Sequence, residues 1–140
     1  QTGDYVVILV EMVHDARIVP IEQEHSATDF EKWMGDSVGY WDGDTLVVRT
    51  RNFHPQQAFR GSSDQMVITE RFDMIASDKI KHAFTIEDPL TYTRPWSGEV
   101  AMNRKPPEEV MYEYACHEGN YALNGILAGA RRLEADATQN

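Results

Sequence analysis

Apolar residues fall in short strand-like runs separated by turn-forming clusters over roughly the first hundred residues, and a helical period replaces them near the end. Residues 5–14 (YVVILVEMVH) are apolar on both alternating sets and rich in β-branched side chains, which predicts a strand buried on both faces or a central barrel strand. Asp15 turns the chain into residues 16–21 (ARIVPI), a shorter strand whose Pro20 removes a donor and belongs at an edge or bend. The two runs predict a hairpin. Residues 22–35 read as polar connecting structure, in which Phe30, Trp33 and Met34 have the spacing of one helical turn behind Thr28 or Asp29 as N-cap.

From Val38 the pattern is strongly β. Asp42-Gly43-Asp44 supplies a turn before a strand at 45–53, and a long loop at 54–64 carries Arg60-Gly61-Ser62-Ser63. Strands at 65–75 and 79–88 form a second hairpin, and strands at 91–104 and 108–117 flank Lys105-Pro106-Pro107. Leu123, Ile126, Leu127, Ala130 and Leu133 then lie on one helical face behind Asn120 as N-cap, and Gly125 and Gly129 allow close approach to a neighbour. The sum is a mainly β protein of seven or eight antiparallel strands, a lipocalin-like barrel or half-barrel with one C-terminal α-helix against it. A jelly-roll sandwich is the alternative.

Composition narrows the function classes. A chain of 140 residues with 41% hydrophobic and 26% charged residues is one globular domain, neither disordered nor low-complexity. Thirteen Lys and Arg against 23 Asp and Glu give a formal charge of −10, which argues against nucleic acid as a partner. No apolar run is long enough for a helical membrane span. The single cysteine, Cys116, excludes an internal disulfide and a Cys-rich metal site. Gln1 stands directly before the first strand, an arrangement expected of a mature form or of the C-terminal part of a longer protein.

Three constellations carry chemical potential. Residues 112–120 (YEYACHEGN) put Glu113 and His117 on one strand face with Glu118 adjacent, so His117 with Glu113 or Glu118 is a candidate general acid–base pair. Should the first strand run beside this block, His14, His117 and Glu118 would form a three-ligand site for a divalent metal, although no HExxH-like spacing supports it. Arg71 and Glu87, charged residues inside strands, are candidate inner contacts for a polar group of a ligand, with Trp41, Trp96 and Tyr114 as apolar walls and Arg60 as an anion contact. Against each stands a plainer role: a helix-start histidine, scattered surface histidines, a solvated cross-strand ion pair, and a simple turn at Arg60. No GxSxG elbow or phosphate-binding fingerprint is present, and Cys116 and His117 point to opposite faces of a strand.

The blocks Gly39-Tyr-Trp-Asp-Gly-Asp-Thr-Leu-Val-Val48, Phe53, Arg60-Gly-Ser-Ser63, Glu70-Arg-Phe72, Glu87-Asp-Pro89, Pro95-Trp96 and Tyr112-Glu-Tyr-Ala-Cys-His-Glu-Gly-Asn-Tyr121 span nearly the whole chain. In this order they resemble an uncharacterised secreted family of soil bacteria. That resemblance implies a periplasmic or extracellular address, a lipocalin-like β fold and a further segment upstream, and it transfers no catalytic residue. Three classes of function follow from the sequence. The leading one is a pocket for a small, partly aromatic or apolar ligand. The others are an acid–base or metal-assisted lyase, isomerase or hydrolase, and a self-assembling module that buries the first strand and the helix against a second copy or an upstream segment.

Overall fold

A computed structural model of the chain describes residues 1–27, 30–57, 59–112, 114, 119 and 121–138. Seven strands and one α-helix occur among them: β1 (Tyr5–Leu9), β2 (Ala16–Pro20), β3 (Asp36–Asp42), β4 (Thr45–Arg51), β5 (Val67–Ala76), β6 (Lys79–Glu87), β7 (Trp96–Asn103) and α1 (Ala122–Ala137). β1 and β2 form the predicted hairpin, and β3 to β7 form a five-stranded antiparallel meander in sequence order. The described strands do not close into a barrel. One parallel bridge between Ile21 and Gly39, with the Glu22 amide donating to the Gly39 carbonyl at 2.8 Å, ties the hairpin to the β3 edge, and β7 is the opposite edge.

Register divides the meander into two faces. Leu46, Phe72, His82 and Val100 align across β4 to β7, as do Val48, Glu70, Phe84 and Gly98, and these rows form the inner face. The hairpin covers the β3–β5 part of it, where Val19, Ile21, Leu46 and Val48 make one core cluster with Val6, Ile8 and Phe72. Gly39 permits this approach, because a Cβ there would stand 2.9 Å from Val19 and 3.1 Å from Ile21. A second cluster of Phe53, Met66 and Ile86 gathers Ile68, Phe84, Tyr92 and Trp96 at the other end. Thr69, Arg71 and Asp73 of β5 and Lys81, Ala83, Thr85 and Glu87 of β6 lie on the outer face.

Several predicted elements are corrected. The first strand stops at Leu9 and gives way to a 3-10 turn over Met12–His14. Phe30, Trp33 and Met34 make no helical turn; Lys32 instead bridges Phe53 in parallel, and Trp33 packs its ring 5.3 Å from His54. The strand predicted from Thr91 begins only at Trp96, since Asp88 holds Thr91 and Tyr92 in a turn through its carbonyl. Glu108 to Tyr112 form no strand, because a turn at Pro107 and Glu108 releases the chain from the β7 edge; the remainder of that predicted strand lies largely outside the described residues. The helix does not bury its stripe against the sheet: α1 has no buried residue, and its N-cap is Tyr121, Asn120 lying outside the described residues.

Candidate functional site

Alternation along β5 and β6 places a charged pair on the inner face that differs from the predicted one. Glu70 stands between Ile68 and Phe72, and His82 between Ile80 and Phe84, so each is the polar member of an otherwise apolar i, i+2 series. Glu70 is buried. Arg17 of the hairpin donates from Nη1 to Glu70 Oε2 at 2.6 Å, and His82 Nε2 meets Glu70 Oε1 at 3.0 Å. Both carboxylate oxygens are therefore engaged, which offsets the desolvation of the charge.

An unbroken row of rings starts at this triad. Phe72 and His82 are stacked with centroids 4.5 Å apart, and Phe84 follows His82 at 5.9 Å. Trp96 stands edge-on to Phe84 at 5.8 Å and to Tyr92 at 6.0 Å, and stacks on Phe59 at 6.3 Å, over which the Arg60 guanidinium sits at 5.8 Å. Gly98 lies beneath the Phe84 ring, where a Cβ would come within 2.7 Å of it. The Trp96 Nε1 donor is buried with no hydrogen-bond partner among the described residues. Beyond the row toward the free edge, Val100 and Met102 are exposed.

Trp96 and Arg60, two of the predicted ligand residues, belong to this row. The other four do not. Arg71 lies on the outer face and donates to Asp42 at 2.8 Å, a contact that raises its already high pKa, while Glu87 is exposed four residues further along the same face, opposite Val67. Arg71 and Glu87 therefore form neither an inner pair nor a pair with each other. Arg71 does border a shallow outer groove of about 370 Å³ with Thr69, Thr85, Ser97 and Glu99. Trp41 sits on β3, the edge opposite β7, so it cannot share a wall with Trp96. Tyr114 donates its amide to His14 Nε2 at 3.1 Å.

That last contact brings Tyr114 against the 3-10 turn that follows β1. His117, Glu113 and Glu118, the predicted acid–base residues and two of the three predicted metal ligands, lie outside the described residues. His14, the third, is present with Nε2 engaged by Tyr114. Among the described residues no group of three His, Cys, Asp or Glu side chains is arranged to hold a metal ion.

Two further buried carboxylates serve loops. Asp88 accepts from the Ser63 amide at 2.6 Å and the Ser63 hydroxyl at 2.7 Å, and from the Leu90 amide at 3.1 Å. Burial pushes its pKa up, but Ser63, Thr91 and Leu90 outweigh that and hold it at about 2. The RGSS loop and the EDP block, read separately in the sequence, are thus one clamp. Asp36 accepts from Lys32 Nζ at 2.6 Å and the Ser26 amide at 2.9 Å, with His25 Nδ1 at 3.1 Å. Burial again raises its pKa, and Lys32, Ser26 and His25 bring the net shift below the usual carboxylate value.

Comparison with family models, with curated proteins and with solved structures finds no match to this chain. No described helix is long and apolar enough to cross a membrane.

Proposed function

We propose that the inner face of β6 and β7 binds a small, partly aromatic molecule, and that the chain is a ligand-binding protein built on an open β meander. The observation that carries this reading is the continuous aromatic row from Phe72 to Phe59, which joins the Arg17–Glu70–His82 triad, with its buried carboxylate, at one end to Arg60 at the other. A flat ligand gains area against ring faces at low side-chain entropy cost, and a few polar groups orient it. His82 supplies one polar contact, and the buried Trp96 Nε1 is a donor that a ligand oxygen would satisfy. Arg60, above Phe59, suits an anionic group at the outer end.

Titration with anilinonaphthalene sulfonate, an aromatic anion, tests this. His82→Ala and Phe84→Ala are expected to weaken its binding about ten-fold each, equivalent to ~1.4 kcal/mol, while Arg71→Ala leaves it unchanged. Equal affinity in all four proteins would remove the inner face from consideration.

A further inference from the structure

Hydrogen bonding around Glu70 fixes which nitrogen of His82 carries the ring proton. Arg17 Nη1 donates to Glu70 Oε2 at 2.6 Å, and His82 Nε2 meets the other oxygen, Oε1, at 3.0 Å. An Arg-paired carboxylate accepts and cannot donate, so the proton lies on Nε2, and in the neutral imidazole Nδ1 keeps its lone pair as an acceptor. The ring plane is held on both sides: Phe72 lies parallel to it within 4° at 4.5 Å, and Phe84 is tilted 40° to it at 5.9 Å. Among the described residues Nδ1 has no hydrogen-bond partner, and it is not sealed in the core. The buried side-chain polar atoms left without a partner there are His25 Nε2 and Trp96 Nε1, and the His82 side chain is 21% exposed.

The neighbours of His82 on the inner face are apolar. Phe84 is the next inner residue of β6, Phe72 and Val100 are the cross-strand partners of His82, and none of their side chains can hydrogen-bond. Opposite Phe84 stands Gly98, so the Phe84 ring lies down over β7, where a Cβ on Gly98 would come within 2.7 Å of it. A lone acceptor bordered by ring faces and one valine complements a flat apolar molecule that bears a single donor. An anionic group is disfavoured at this end, because it meets Nδ1 with a second lone pair instead of a proton. We infer that His82 Nδ1 accepts a hydrogen bond from a hydroxyl on the ligand's ring, so that the inner face selects phenol-type molecules over the matching aromatic ethers, an inference that rests on the aromatic-ligand reading of that face. Glu70 acts through His82 as a positioning residue that sets the tautomer. Replacing the hydroxyl by a methoxy group leaves Nδ1 without a proton to accept and should cost about ten-fold in affinity.

Dissociation constants of 2-naphthol and 2-methoxynaphthalene for the whole chain test this at pH ~8, between the ordinary imidazole pKa of about 6.5 and the phenol value of about 10. His82→Phe keeps a flat ring between Phe72 and Phe84 and removes the acceptor. The ratio of the ether's dissociation constant to the naphthol's should therefore fall about ten-fold from the wild type to His82→Phe, a comparison in which the different hydrophobicity of the two probes cancels. The same ratio in both proteins overturns the inference while leaving the inner face as an aromatic site. Failure of the wild type to bind either probe overturns the inference and the aromatic-ligand reading together. A second measurement needs neither ligand nor variant: long-range proton–nitrogen-15 correlation in histidine-labelled protein at the same pH, with the His82 signals assigned by nuclear Overhauser contacts to the Phe72 ring. A protonated Nε2 and an unprotonated Nδ1 are expected. The reverse tautomer, or protons on both nitrogens, overturns the inference.

Discussion

Arg17 and Glu70 lie 2.6 Å apart across the gap between the hairpin and the meander, fifty-three residues apart in sequence, and His82 takes the other carboxylate oxygen. Because the pair is largely removed from water, deleting one partner strands the other. Glu70→Ala should cost about 3 kcal/mol in urea unfolding, whereas the double variant Arg17→Met/Glu70→Met should recover most of that loss. A Glu70→Ala loss below ~1 kcal/mol, the level of an exposed pair, would show that the triad is solvated.

Gly39 is the second element that seats the hairpin. A methyl group there meets Val19, Ile21 and the Val47 carbonyl, at 2.9, 3.1 and 3.3 Å, and β4 backbone cannot give way without breaking the ladder. Gly39→Ala should destabilise the protein by about 1–3 kcal/mol, and hydrogen exchange should quicken in β1 and β2 before it does in β5 and β6. Uniform acceleration across both sheets would argue against a separately seated hairpin.

Asp88 predicts an acid transition. Its pKa in the folded protein, about 2, lies below its unfolded value, so the stability it contributes is complete above pH ~4 and is lost as the pH falls toward 2. Asp36 shifts in the same direction and adds to the slope. Asp88→Asn should be less stable at neutral pH and should lose less further stability than the wild type between pH ~4 and 2. Parallel stability curves for the two proteins would assign the acid sensitivity to other groups.

At Gly98 the aromatic row itself can be perturbed. A Cβ placed 2.7 Å from Phe84 displaces that ring, which stands edge-on to Trp96 at 5.8 Å. Gly98→Ala should shift near-ultraviolet circular dichroism, with a stability loss of about 1–2 kcal/mol. An unaltered near-ultraviolet spectrum would mean that Phe84 and Trp96 are not mutually fixed.

Much of the β layout was legible in the sequence. The hairpin of β1 and β2, the Asp42-Gly43-Asp44 turn and the β5–β6 pair all follow from alternation and turn chemistry within short windows. Face assignment in β5 is also within reach, since Ile68-x-Glu70-x-Phe72 is apolar around its charge and Thr69-x-Arg71-x-Asp73 is polar throughout, a contrast that puts Glu70 rather than Arg71 on the inner face. The partners were not legible. Arg17 with Glu70, Ser63 with Asp88 and His25 with Asp36 meet through tertiary packing, which no local period encodes. The first strand's doubly apolar pattern predicted cover on both faces, and the meander supplies cover on one.

Nitrogen-15 chemical-shift mapping with anilinonaphthalene sulfonate would locate a ligand on the sheet residue by residue. A ligand on the inner face should give saturable shifts at Phe72, His82, Phe84, Gly98 and the Trp96 indole N–H, with Thr69, Arg71 and Glu87 on the outer face unmoved. Shifts confined to β1, β2 and α1, with a silent Trp96 indole, would contradict it.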